Sequence, residues 1–88
     1  MKRNKPDANQ PEIVAALRSI GAVVFLIGIP LDLLVAFRGK LTLMEVKNPD
    51  NKGKVSKSQQ VTIDLLKAVG VRVAIVRDVE EAIEEVSK

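Results

Sequence analysis

The strongest constraint on the fold is the stretch from Ala22 to Lys47. Apolar and β-branched residues dominate it, and turn signals break it at only two places, Gly28-Ile29-Pro30 and Arg38-Gly39. What remains is three consecutive runs, 22–27, 31–37 and 40–47, each of strand length and too short for an ordinary helix. Arg38-Gly39 leaves a two-residue loop, so the second and third runs form an antiparallel hairpin. Gly28, Pro30 and Asp32 interrupt the apolar stretch 22–37 and exclude it as a transmembrane span.

Helical patterns flank these strands. Asn9-Gln-Pro-Glu12 reads as a helix start, with Asn as N-cap, Pro in the first turn and Glu three residues after the cap. Ile13, Val14, Leu17 and Ile20 follow at helical spacing, and Gly21 closes the run. A second helix spans Ser56 to Val69 and is closed by Gly70. Val71–Val76 is a buried strand, and Asp78–Val86 is a last helix with Val79, Ala82, Ile83 and Val86 on one face. The order α-β-β-β-α-β-α implies an α/β architecture, a mixed sheet flanked by helices. Eighty-eight residues support one core. A single domain over 1–88 is expected, with the polar residues 1–8 frayed.

Composition removes whole classes of chemistry. The chain has no His, Cys, Trp or Tyr and only two Phe. It therefore lacks disulfides, a thiolate nucleophile, a Ser-His-Asp triad and a phosphotyrosyl intermediate. Two Phe are too few for a base-stacking platform. Catalysis would have to use carboxylates, lysines, amides or hydroxyls with a hard metal ion. Charge is uneven along the chain. Residues 1–57 carry ten Lys or Arg against five acids, net +5, and residues 58–88 carry four against six, net −2. A basic front suits a polyanion, with Lys2, Arg3, Lys5, Lys52, Lys54 and Lys57 as candidate phosphate contacts; a plain solvated surface accounts for them as well. The basic opening is followed by polar residues rather than an apolar stretch, so no signal peptide is expected and the expected compartment is the cytoplasm.

The hairpin places the charges. With Arg38-Gly39 as its loop, Phe37 faces Lys40, Val35 faces Thr42, Leu33 faces Met44, and Asp32 falls opposite Glu45. Lys47 lies two residues beyond Glu45 and shares its face. Two carboxylates and a lysine thus converge at the open end of an otherwise apolar hairpin. Opposed like charges are destabilising there. A divalent cation held by both carboxylates would relieve the repulsion. So, in part, would a buried pair of Lys47 with Glu45 or Asp32, and the hairpin alone does not choose between the two.

Asp32, thirteen positions before Glu45-Val46-Lys47, resembles the D…(D/E)-x-K signature of the PD-(D/E)xK nuclease superfamily. Four blocks in order resemble its VRR-NUC branch, which includes small stand-alone proteins of bacteriophages and prophages. They are Lys5-Pro-Asp-Ala-Asn-Gln-Pro-Glu-Ile-Val14, Asp32-Leu-Leu-Val35, Glu45-Val-Lys47 and Val55-Ser-Lys-Ser-Gln59. One departure is Leu31, which separates Pro30 from Asp32 where the family has Pro-Asp; another is the short loop after Lys47.

The resemblance implies a restriction-endonuclease-like core. It implies Asp32, Glu45 and the Val46 main-chain carbonyl as ligands of Mg²⁺ or Mn²⁺, with Glu12 aimed at the metal directly or through water. Lys47 would be the catalytic lysine, and Gln59 would brace the site. Glu12 and Gln59 also fit capping boxes behind Asn9 and Ser56. Gln59, however, lies on the apolar stripe with Ile63 and Leu66, where an amide needs partners. The activity implied is a structure-specific endodeoxyribonuclease in a bacterial cell, a homodimeric Holliday-junction resolvase acting on branched DNA. The alternative is a non-catalytic nucleic-acid-binding or assembly module on the same fold.

Overall fold

The computed structural model describes residues 8–48 and 55–88. Seven elements follow one another: α1 (Gln10–Ser19), β1 (Val23–Leu26), β2 (Leu33–Phe37), β3 (Lys40–Val46), α2 (Lys57–Ala68), β4 (Arg72–Val76) and α3 (Val79–Ser87). They form a compact α/β fold in which one four-stranded sheet, ordered β1-β2-β3-β4, is antiparallel except for the parallel pair β3–β4. Among the described residues, no helix is long and apolar enough to cross a membrane.

The hairpin has the register expected from its loop, with Leu33 opposite Met44, Val35 opposite Thr42 and Phe37 opposite Lys40. Arg38 and Gly39 have φ of 51° and 79°, the left-handed pair of a type I′ turn. A Cβ at Gly39 would meet no atom within 4 Å, so the obstacle to a side chain there is backbone conformation rather than space. Gly39→Ala is accordingly expected to cost about 1–2 kcal/mol, read by urea unfolding, and Gly39→Asn less.

One face of the sheet carries the core. Val24, Leu33, Val35, Met44, Val46, Ala74 and Val76 alternate inward and pack against Ile13, Val14 and Leu17 of α1 and Ala82 and Val86 of α3. Each of the Val, Leu, Ile and Met side chains contributes roughly 1.5–3 kcal/mol by leaving water, and each Ala less. Among the described residues, the opposite face is covered where α2 lies, and Ile63 of α2 is fully buried.

Helix ends match the sequence signals with one exception. α1 stops at Gly21 (φ 98°), where the Gly21 amide donates to the Arg18 carbonyl and the Ala22 amide to the Leu17 carbonyl, a Schellman closure. Ser56 and Asp78 cap α2 and α3 through their side chains. Asn9, expected to cap α1, makes no side-chain cap bond. Its amide nitrogen instead donates to the carbonyls of Lys47 (3.2 Å) and Arg77 (2.7 Å). Those bonds tie the start of α1 to the chain just beyond β3 and β4, a long-range demand that outweighs local capping.

Candidate functional site

The site lies where the parallel strands β3 and β4 end and α2 begins. Glu45 projects from β3 to the face opposite Met44 and Val46, the face that α2 covers. It is only 3% exposed. Lys47 follows on the same face, and its Nζ lies 3.1 Å from Glu45 Oε2. Gln59, in the first turn of α2, spans both: its Nε2 donates to Glu45 Oε2 at 2.5 Å, and its Oε1 accepts from Lys47 Nζ at 2.9 Å. An amide has one donating and one accepting end, so it can satisfy a carboxylate and an ammonium at once, which a carboxylate could not do.

Ser56 and Gln59 therefore form half of a capping box. The Gln59 backbone amide donates to Ser56 Oγ at 3.2 Å, while the Gln59 side chain turns into the site rather than back to the cap. Removing it strips a buried carboxylate of a hydrogen bond. Gln59→Ala is expected to lower stability by about 1–3 kcal/mol, read as a reduced midpoint in chemical unfolding. An equal midpoint would show that the bridge contributes nothing.

Asp32 sits one residue before β2, and the β2–β3 register continued by one pair sets it opposite Glu45. β2 was expected to begin at Leu31 but begins at Leu33, because the chain turns through Gly28 and Pro30. The amides of Ile27 and Gly28 both donate to the Asp32 carbonyl, at 3.0 and 3.1 Å. The ladder acceptor that Val46 would find on a longer β2 is missing, and Asp32 Oδ2 takes its place, accepting from the Val46 amide at 2.8 Å. In a strand, the carbonyl and amide of one residue leave on the same side. The Val46 carbonyl therefore points towards Asp32, so that a carboxylate and a carbonyl oxygen lie on the β2 side of β3, beside Glu45.

Glu45 carries the observation that bears on a metal. Its Oε2 is partnered twice, yet its Oε1 is buried and accepts no hydrogen bond from the described residues. A buried carboxylate oxygen without a donor is costly. Hard oxygen donors of this kind, two carboxylates and a backbone carbonyl, suit Mg²⁺ or Mn²⁺. By donor chemistry alone, Glu45, Asp32 and the Val46 carbonyl are compatible with a hard divalent cation.

Glu12 does not join them. It is exposed on α1, and no group of three or more acids, His or Cys that could hold a metal occurs among the described residues. Asn9 makes no side-chain cap bond, so the complete capping box expected at α1 is not formed. Lys57 is exposed at the first residue of α2. Lys2, Arg3, Lys5, Lys52 and Lys54 lie outside the described residues. The residue missed from sequence is Asn9, whose bond to the Lys47 carbonyl anchors the catalytic-lysine candidate from behind; nothing in Asn9-x-x-Glu12 distinguishes that role from a cap. No family model, curated protein or solved structure matches this chain.

Proposed function

We propose that this protein is a Mg²⁺- or Mn²⁺-dependent endodeoxyribonuclease of the PD-(D/E)xK type, close to VRR-NUC. On this reading it cuts branched DNA, a four-way junction foremost, as a homodimer. The observation that carries the reading is the buried, half-partnered Glu45, fixed by Gln59 and Lys47 on one side and flanked by Asp32 and the Val46 carbonyl on the other. The compact α/β fold, a four-stranded mixed sheet with three helices, supports the reading.

A divalent cation, when bound there, polarises a phosphoryl oxygen and acidifies water. The chain supplies the remainder. Lys47, only partly exposed, presents an ammonium that can orient the attacking water and offset the charge growing on the phosphate. Gln59 holds that ammonium and the Glu45 carboxylate in fixed relation. The start of α2, with Lys57 at its first position, offers amides and a cation to a DNA phosphate. With two Phe and no Trp or Tyr in the sequence, bases find little to stack on, so the substrate is recognised by shape.

Incubation with four-way, flap and duplex DNA in Mg²⁺ or Mn²⁺ tests the reading. Preferential cutting of a branched substrate is expected, and no cutting of any of them would refute it. One observation favours a second reading. The closed Glu45–Lys47 pair could serve structure alone, leaving a nucleic-acid-binding or assembly module. That module would bind DNA with a steep salt dependence and never cut it.

A further inference from the structure

β1 is an edge of the sheet, and its outer side is open among the described residues. The Ile27 amide donates to the Asp32 carbonyl, which fixes the alternation along the strand. Val23, Phe25 and Ile27 turn their amides and carbonyls to β2, and Val24 and Leu26 turn theirs away from it. The Val24 carbonyl accordingly accepts from outside the sheet, from Arg18 Nη2 at 2.8 Å. The Leu26 amide and carbonyl face the same open side, and nothing among the described residues bonds them. Edge strands are ordinarily blunted by a charge, a proline or a bulge. β1 carries no charge, no proline and no break in its register, and Val23, Phe25 and Leu26 are each about half exposed.

Beside this edge runs a groove. A cavity of about 320 Å³ lies between α1 and the end of β1, lined by Gln10, Pro11, Val14, Ala15, Arg18 and Leu26. From Gln10 to Arg18 the helix rises about 12 Å, room for about four residues of extended chain. The walls are apolar but for two side chains. Gln10 is 3% exposed, and its Oε1 is buried and accepts no hydrogen bond. Arg18 makes its bond to Val24 and pairs with no carboxylate among the described residues. The groove therefore lacks a donor for Gln10, an anion for Arg18 and a backbone partner for Leu26.

We infer that the groove binds an extended segment of a partner protein, added to β1 as a further strand, with an acidic residue against Arg18 and an apolar side chain in the cavity. The unmet groups select this occupant. A peptide backbone alternates amides and carbonyls, so it can pair with the Leu26 edge and supply an amide to Gln10 Oε1. A small apolar acid answers Arg18 but, once ionised, brings no donor. Residues two apart in an extended chain share a face, so the apolar residue and the acid stand at i and i+2. The side chain between them meets Val23 and Phe25, which project from the other face of β1. The inference goes beyond the nuclease reading and uses none of the groups around Glu45.

Selection of random short peptides displayed on phage against the full chain tests it. Enrichment of an acid two positions from a large apolar residue is expected, in either order. The best sequence, made as a fluorescein-labelled peptide, should protect the Leu26 amide from hydrogen exchange. Arg18→Ala should weaken its binding about 10–100-fold. Ala15→Glu, a helix-compatible change at an exposed lining position, should abolish it. Gln10→Leu should weaken binding while the melting temperature holds or rises, since it removes a buried acceptor that has no donor; a merely structural glutamine would give the reverse. No enrichment of the pattern, binding unmoved by Arg18→Ala and Ala15→Glu, or displacement of the peptide by equally tight octanoate overturns the inference. So does self-association of the wild-type chain that protects the Leu26 amide, because a second copy then fills the edge.

Discussion

Lys47→Ala is expected to lower Mn²⁺-dependent cleavage of branched DNA by roughly 10²–10⁴-fold, the range for losing a positioned group that moves or steadies a proton. The effect has a second component. Glu45 is buried, and Lys47 is the cation beside it. Truncating one partner of a buried pair leaves the other uncompensated, a loss of about 3–5 kcal/mol. Lys47→Arg separates the components. A guanidinium can keep the charge pair but not the compact ammonium, so this variant should retain most of the stability while cleavage still collapses. Single-turnover cleavage and thermal unfolding of the three proteins, measured together, distinguish the outcomes. Undiminished cleavage by Lys47→Ala would remove the lysine from the mechanism.

The second large effect is on the fold. Leu33 is fully buried, lies in the sheet between β1 and β3, and packs within the cluster shared with α1 and α3. Leu33→Ala is expected to cost about 2–5 kcal/mol, from lost transfer energy and from the cavity left behind. A domain of this size has a total stability of roughly 4–13 kcal/mol. At about 4–8 °C per kcal/mol the melting temperature falls by about 8 °C or more. Leu33 also immediately follows Asp32, so the cavity loosens the strand end beside a proposed metal ligand, and Mn²⁺ affinity should weaken with stability. A melting point within a few degrees of wild type would show that the sheet is anchored elsewhere.

Local chemistry made the hairpin readable. A two-residue loop admits one register, and the alternation of Leu33, Val35, Thr42 and Met44 agreed with it, so the relation of Asp32 to Glu45 could be counted directly. The mixed sheet and three helices followed from the order of periodic segments. Asn9 was misread because the same short side chain that caps helices also bridges distant carbonyls, and only the tertiary fold brings Lys47 and Arg77 to it. Gln59 was legible for the converse reason: an amide on an apolar stripe had to find partners, and it found Glu45 and Lys47. The late start of β2 was hidden, since Leu31 and Leu33 look alike in sequence and only the turn at Gly28–Pro30 separates them.

Calorimetric titration of Mn²⁺ into the wild-type protein, Asp32→Ala and Glu45→Ala bears most directly on the shared-cation account. One saturable site per chain is expected in the wild type, abolished by either substitution while the circular dichroism spectra stay alike. Absence of saturable binding to the wild type, or equal binding by Asp32→Ala, would contradict it.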